Sequence, residues 1–234
     1  MKQICFMLYF FILALPSLWG ADELALNLWS GKLCDLPGYG KWQIAAKHGR
    51  VLAEGNGNIR FQIPALQAGS SLDAYLIMNG KKQKLCFYSP RILRGISAVT
   101  YDLNLKCKKG LQSLGVNIEQ KKESNIAFAG YMPESYSGKL LFVFTEKKDF
   151  PLKLGREWTK ISLYRSKNSG CLSVLYNVQE KLVDCNGECT YIQLEQDNKV
   201  VIVFSPDFNM ENIENALLIK YIIENNIHNK GAVK

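Results

Sequence analysis

The 234-residue sequence predicts an α+β protein of two domains. The first is an N-terminal antiparallel β-sandwich of immunoglobulin-like architecture, expected at residues 21–98. The second is a small α/β domain of Rossmann-like type with a mostly parallel sheet, expected at residues 99–226. Two observations predict this division. Short β-type runs separated by frequent turn signals fill the first part, and the second part combines helical patterns with near-continuous apolar runs typical of strands buried on both faces.

The first 20 residues have the layout of a secretory signal peptide. Lys2 supplies a positive start, residues 4–15 are almost unbroken apolar sequence, and a Pro-Ser break precedes Gly20. An uncleaved anchor is the alternative, but about a dozen apolar residues are short for a hydrocarbon layer of about 30 Å. We therefore expect export to the periplasm, cell envelope or exterior, with cleavage after Gly20 or elsewhere nearby. No transmembrane segment is expected to remain after cleavage.

The composition is that of a globular protein with a basic surface. Hydrophobic residues make up 47% of the chain, charged residues make up 21%, and the formal net charge is +8. The lysines and arginines are scattered, which is typical of a solvated surface. Because no nucleic-acid-binding module is recognisable, we expect no nucleic-acid partner.

Six β-type runs build the predicted sandwich. Gly/Pro-rich or Gly/Asn-rich loops are expected at residues 36–40 and 55–58, and Asn79-Gly80 is a hairpin signal. The runs lie at residues 24–29, 42–46, 51–54, 59–63, 72–78 and 84–88.

The predicted α/β domain begins with a helix whose apolar residues, Leu103, Cys107, Leu111 and Leu114, recur at helical spacing. Gly115 then suits a C-terminal cap. A second helix is expected from about residue 210 to 225, capped by Asp207 or Asn209, before a flexible tail at 227–234. The β-type runs between the helices lie at residues 116–118, 126–129, 140–144, 158–164, 171–176, 191–194 and 199–204.

Residues 100–226 resemble the class I glutamine-amidotransferase-like α/β domains in their order of elements. The resemblance is carried by the helix–Gly–Val segment at 111–116, the small-residue strand end at 126–130, Gly138 before the run at 140–144, and the final strand and helix. The family's Gly-x-Cys-x-Gly elbow is replaced by Ser-Gly-Cys-Leu-Ser at 169–173, and no His-x-Glu follows. The resemblance therefore implies a catalytically silent version of this fold.

The remaining chemistry also argues against catalysis, so we lean towards a protein that is not an enzyme. The chain has two histidines, His48 in a predicted turn and His228 in the tail, and neither has the context of a catalytic base. We expect no catalytic residue, no metal site and no cofactor. Cys185 and Cys189 flank an Asn-Gly turn and form a candidate disulfide, with free thiols as the alternative.

Four aromatic residues are candidate ligand contacts: Tyr131, Tyr136, Phe150 and Trp158. They lie near strand ends and loops of the second half, where α/β folds carry a ligand crevice. Packing in the core is the alternative, above all for Phe150 and Trp158.

These observations predict an exported, non-catalytic binding or assembly protein of the cell envelope, with an envelope protein or a carbohydrate as its partner. Two alternatives stay open. One is a hydrolase of an envelope or extracellular polysaccharide, which would need a pair of carboxylates in a cleft. The other is a small-ligand binder that uses the α/β crevice.

Overall fold

The computed structural model describes residues 25–119, 124–154, 158–165, 170–179, 182–183 and 189–228. The predicted signal peptide, most of the predicted tail and Cys185 lie outside these ranges. The chain forms two units, one ending at Tyr88 and the other continuing from Ser89, with the short segment Leu66–Ser70 belonging to the second. The boundary expected from the sequence lies further along, near residue 98. None of the helices in the described ranges has the length and hydropathy needed to cross a bilayer.

The first unit contains one five-stranded sheet in its described part, with strand order β1-β5-β4-β2-β3. Strands β2 to β5 pair antiparallel, and the short β1 joins the edge parallel to β5. This sheet is mainly antiparallel, as expected. The strands are β1 (Leu26–Trp29), β2 (Leu33–Ala46), β3 (Val51–Gln62), β4 (Ser71–Met78) and β5 (Lys81–Tyr88).

The hairpin predicted from Asn79-Gly80 is confirmed. Both residues have positive φ, 51° and 74°, as a two-residue hairpin turn of the primed type requires, and Met78 pairs with Lys81. The loops expected at 36–40 and 55–58 are wrong, because both segments lie inside strands. A register shift between Leu36 and Tyr39 accommodates the first segment within β2 as a bulge.

The second unit contains an eight-stranded mixed sheet with strand order β12-β11-β14-β15-β9-β8-β6-β7. The five strands from β15 to β7 are parallel, and β15, β14, β11 and β12 pair antiparallel. A separate two-stranded ribbon pairs β10 with β13. The strands are β6 (Ser97–Tyr101), β7 (Asn117–Ile118), β8 (Ile126–Ala129), β9 (Leu140–Phe144), β10 (Leu152–Lys153), β11 (Trp158–Arg165), β12 (Gly170–Val178), β13 (Leu182–Val183), β14 (Tyr191–Gln196) and β15 (Lys199–Phe204).

Two α-helices belong to this unit, and both predicted helices are found. Helix α1 (Leu105–Ser113) connects β6 to β7 and ends before Gly115, whose φ of 96° suits the predicted cap position. Helix α2 (Ile213–Ile223) follows β15 and continues as a π-helical turn, Glu224–His228. Its N-cap is Asn212, so the expected start near residue 210 and the expected caps are wrong.

Both faces of the central strands are buried. One face belongs to an apolar cluster that includes Leu141, Val143, Val201 and Val203. On the other, the rings of Phe128, Phe142, Phe144 and Phe204 stack from strand to strand, with neighbouring centroids 5.1–6.2 Å apart. This two-sided burial explains why β9 is apolar throughout and β15 is apolar from Val200 to Phe204.

Candidate functional site

A cleft of about 710 Å³ lies where β9 and β15 end. These two strands are parallel neighbours, so their carboxyl ends meet at one edge of the sheet. Ligands of open α/β sheets bind at this edge. Three segments line the cleft: one side of α1, the residues that follow β9, and residues 205–211 after β15.

Helix α1 forms one wall, and its first turn is capped by a side chain. Asn104 accepts a hydrogen bond at its Oδ1 from the Cys107 backbone N–H, at 2.8 Å, which satisfies one of the unpaired donors of the first turn. The residues that face the cleft, Lys106, Cys107, Gly110 and Ser113, recur at spacings that keep them on one side of a helix.

Aromatic rings and one buried hydroxyl form the opposite side. Thr145, which follows β9, is buried and donates from Oγ1 to the Phe204 carbonyl at 3.0 Å, so it ties the ends of the two strands together. The Phe208 ring stacks on Phe204 with centroids 3.8 Å apart and lies 6.1 Å from Phe144. Phe144 and Phe208 both line the cleft.

Charged side chains surround the opening. Lys147 lies 3.8 Å from Asp207, and Lys148 lies 3.0 Å from Glu146, in two exposed ion pairs that contribute little to stability. The side chains of Lys106 and Lys109 are exposed, and neither forms an ion pair with a carboxylate in the described ranges.

The described lining of the cleft does not combine a cysteine nucleophile with a histidine base. Cys107 is the one thiol among its lining residues, and no histidine is among them. Burial raises the pKa of the Cys107 thiol and outweighs the opposing effects of Asn104 and Lys106. The thiol therefore stays protonated at neutral pH, whereas a cysteine nucleophile acts as thiolate. No three His, Cys, Asp or Glu side chains in the described part of the chain are grouped to hold a metal ion.

The four aromatic residues proposed from the sequence lie elsewhere in the second unit. Tyr131 is exposed, Phe150 is half-buried, and Tyr136 and Trp158 are buried within the apolar cluster. The Tyr136 hydroxyl lies 3.0 Å from the Leu140 carbonyl oxygen and 3.2 Å from that of Ser124. None of the four lines the cleft, and their role in ligand binding stays a prediction.

Among the described cysteines, Cys107 alone lines the cleft. Cys171, in the segment compared with a nucleophile elbow, is exposed on β12, and β11 and β14 lie between that strand and β15. Cys34, Cys86, Cys107 and Cys171 are thiols. Cys189 is buried, and because Cys185 lies outside the described ranges, their disulfide stays a prediction.

Sequence reasoning placed a crevice at the strand ends but missed the residues that form it. A usable signal was present: the two most apolar runs are each followed at once by a hydroxyl residue and then by acidic residues, as Thr145-Glu146 and Ser205-Pro206-Asp207. Polar residues immediately after buried parallel strands are those that reach a ligand crevice.

No protein-family model matches this chain, and no curated protein is similar to it in sequence.

Proposed function

We propose that this protein is an exported, non-catalytic binding protein of the cell envelope whose second unit holds a small ligand in the cleft at the ends of β9 and β15. The observation that carries the proposal is the cleft itself. It lies at the edge of a parallel sheet where α/β proteins bind ligands, and its volume falls within the range of about 300–1,000 Å³ typical of small-molecule sites.

The lining indicates the kind of ligand. The rings of Phe144 and Phe208 offer an apolar surface for the body of a small organic molecule. Among the three lysines and three acidic residues that line the cleft, Lys106 and Lys109 form no ion pair with a carboxylate in the described ranges and can receive an acidic group of the ligand. A small organic acid with a flat apolar body satisfies both features.

We also propose an architecture for each unit. We assign an immunoglobulin-like architecture to the first unit and a Rossmann-like one to the second. In chain order, the parallel strands of the second unit are arranged 2-1-3-4-5, because the chain adds β7 on one side of β6 and then β8, β9 and β15 on the other. This reversal supports a doubly wound origin. A catalytically silent relative of the class I glutamine-amidotransferase-like domains would keep such a crevice without its cysteine and histidine.

The hydrolase alternative finds less support in the cleft. A glycosidase needs one carboxyl group that stays protonated in an apolar pocket. The Glu146 and Asp207 side chains are 61% and 83% exposed, and each is paired with a lysine. Glu211, the third carboxylate of the lining, is exposed as well, so none of the three environments resembles that of a catalytic acid.

A ligand screen with a blocking variant tests the proposal. Ser113 is exposed on α1 and lines the cleft, whereas its neighbour Gln112 is equally exposed on the same helix but does not line it. The purified exported chain is screened by thermal shift against a library of small organic acids. Ser113→Trp is expected to abolish the stabilisation by any active compound, and Gln112→Trp is expected to keep it.

Two results would contradict the proposal. One is that no compound raises the melting temperature of the unmodified chain, and the other is that active compounds stabilise the Ser113→Trp variant as well as the parent. Chemical conversion of the bound compound during incubation, followed by mass spectrometry, would contradict the non-catalytic part alone.

A further inference from the structure

The antiparallel strands of the second unit carry a separate polar and aromatic surface. It consists of Tyr164, Tyr176, Lys160, Gln193 and Glu195, and we call it the tyrosine platform. None of these residues lines the cleft.

The strand register places the platform residues on one face. Tyr176 on β12 pairs with Lys160 on β11, and Lys160 pairs with Glu195 on β14. Directly opposed residues of neighbouring strands project from the same face of a sheet. Because neighbouring strands lie about 4.8 Å apart, this row spans about 10 Å. Gln193 belongs to the next row on the same face, and Tyr164 to the row beyond it.

The charged side chains at the centre of the platform are held by hydrogen bonds, but two acceptor oxygens there receive none from described residues. Lys160 Nζ and Gln193 Nε2 both donate to the same Glu195 oxygen, Oε1, at 2.9 and 2.7 Å. The second carboxylate oxygen of Glu195 and the amide oxygen of Gln193 accept no hydrogen bond from any described residue. The Glu195 side chain is 30% exposed and Gln193 is half-buried, so the groups that carry these acceptors are held in place and partly exposed.

Aromatic rings border this centre. Tyr176 is 71% exposed beside Lys160. Tyr164 is half-buried, and its ring stacks on that of Tyr191 with centroids 4.7 Å apart and planes 7° from parallel. The Tyr164 ring is therefore fixed by stacking, whereas the Tyr176 ring is exposed at the outer edge of the platform.

We propose that the tyrosine platform binds a neutral carbohydrate. A sugar ring offers an apolar C–H face that can lie on a tyrosine ring, and hydroxyl groups at its edge that donate to carboxylate and amide oxygens. One ammonium and one carboxylate give the centre no net charge, which suits an uncharged ligand better than an acidic one. The span of about 10 Å exceeds a single sugar ring, so the ligand is an oligosaccharide or a segment of a polysaccharide.

The platform does not depend on the function proposed for the cleft. The two sites share no residue, and their ligands differ in chemistry, so either can fail while the other stands.

An array of immobilised neutral and acidic oligosaccharides, probed with the purified exported chain, tests this inference, followed by isothermal titration of the best neutral binder. Tyr176→Ala and Glu195→Ala are each expected to weaken binding at least tenfold. Tyr39→Ala serves as the matched control, because Tyr39 is an equally exposed tyrosine in the first unit, and it is expected to bind like the parent. Tyr176 is so exposed that its truncation leaves folding intact, and the circular dichroism spectrum checks this for each variant.

Three outcomes would overturn the proposal. The first is that no oligosaccharide on the array binds. The second is that binding is confined to acidic oligosaccharides and weakens with added salt, which would indicate contact with the general basic surface. The third is that Tyr176→Ala binds a neutral oligosaccharide as tightly as Tyr39→Ala.

Discussion

Gly138 occupies a position where only a hydrogen atom fits. A Cβ atom built there would overlap the Tyr136 hydroxyl and the Ser124 carbonyl oxygen. Tyr136 is buried and its hydroxyl lies within hydrogen-bond distance of the Leu140 carbonyl, so the ring is not free to move aside. The turn before β9 therefore depends on this glycine.

Replacing Gly138 with alanine is expected to lower the free energy of unfolding by about 1–3 kcal/mol, the usual cost of overpacking. Gly110→Ala is the matched control. The nearest atom to its added Cβ is the flexible Met210 Cε at 3.2 Å. The helix propensity of alanine is more favourable than that of glycine by about 1 kcal/mol, so this variant should lose little stability. Denaturant unfolding of both variants checks the difference. Equal midpoints for the two variants would show that the Tyr136 contact is unimportant.

The protein should become less stable at alkaline pH because the Tyr191 hydroxyl ionises more readily in the unfolded chain than in the folded one. Burial is the main cause that raises the pKa of its hydroxyl, and Tyr164, Tyr221 and Cys171 add to it. Below the pKa of an unfolded tyrosine, about 10, both states keep the proton and stability does not change. Above it, the unfolded chain releases a proton that the folded chain retains, so stability falls as the pH rises.

We expect the loss caused by Tyr191 to approach about 1.4 kcal/mol per pH unit above pH 10. Tyr191→Phe keeps the ring and removes the titrating group, so its unfolding free energy should fall less steeply over the same range. Urea unfolding at several values between about pH 9 and pH 11 measures both slopes. Identical slopes for parent and variant would contradict the role assigned to Tyr191.

At the level of elements, secondary structure was predicted correctly where a local residue pattern follows from burial or from the backbone preference of the residues themselves. The run Val200–Phe204 is apolar because β15 is covered on both faces, and the spacing of Leu111 and Leu114 reflects the buried side of α1. The same reasoning located the hairpin at Asn79-Gly80, whose positive φ angles belong to the two residues themselves.

Prediction failed where the deciding contact comes from a distant part of the chain. Gly55 was expected in a loop, but it lies in β3 opposite Trp42. A Cβ at Gly55 would lie 2.6 Å from the Trp42 ring, so the glycine permits the indole to lie flat on the neighbouring strand. A local sequence pattern contains no information about that packing, and glycine is read as a turn signal instead.

The start of α2 gives a second example, and it bears on the site. Asn209 is of a residue type that commonly caps helices, and its side chain accepts a hydrogen bond from the Glu211 backbone N–H at 3.0 Å. The helix nevertheless begins later, with Asn212 as its cap. The residues between them, Met210 and Glu211, line the cleft. The expected cap at Asn209 is therefore wrong, and the segment expected to begin the helix forms part of the cleft wall.

At the scale of the whole chain, the predicted export is the expectation that most affects the proposed function. The apolar segment at residues 4–15 is too short to span a bilayer and has the length of a signal-peptide core. Its removal also removes Lys2, which leaves a formal net charge of about +7.

We expect the full chain, expressed with its own first 20 residues, to be recovered from the exported fraction with a new N-terminus at about Ala21. Leu13→Arg places a charge in the apolar core of the signal and should keep the protein inside the cell, because a charged side chain opposes insertion into hydrocarbon. Leu33→Arg, at an exposed position of β2, is the control and should be exported normally. N-terminal sequencing and fractionation measure both results. Recovery of the intact chain from the membrane, with Met1 still present, would instead identify the segment as an anchor.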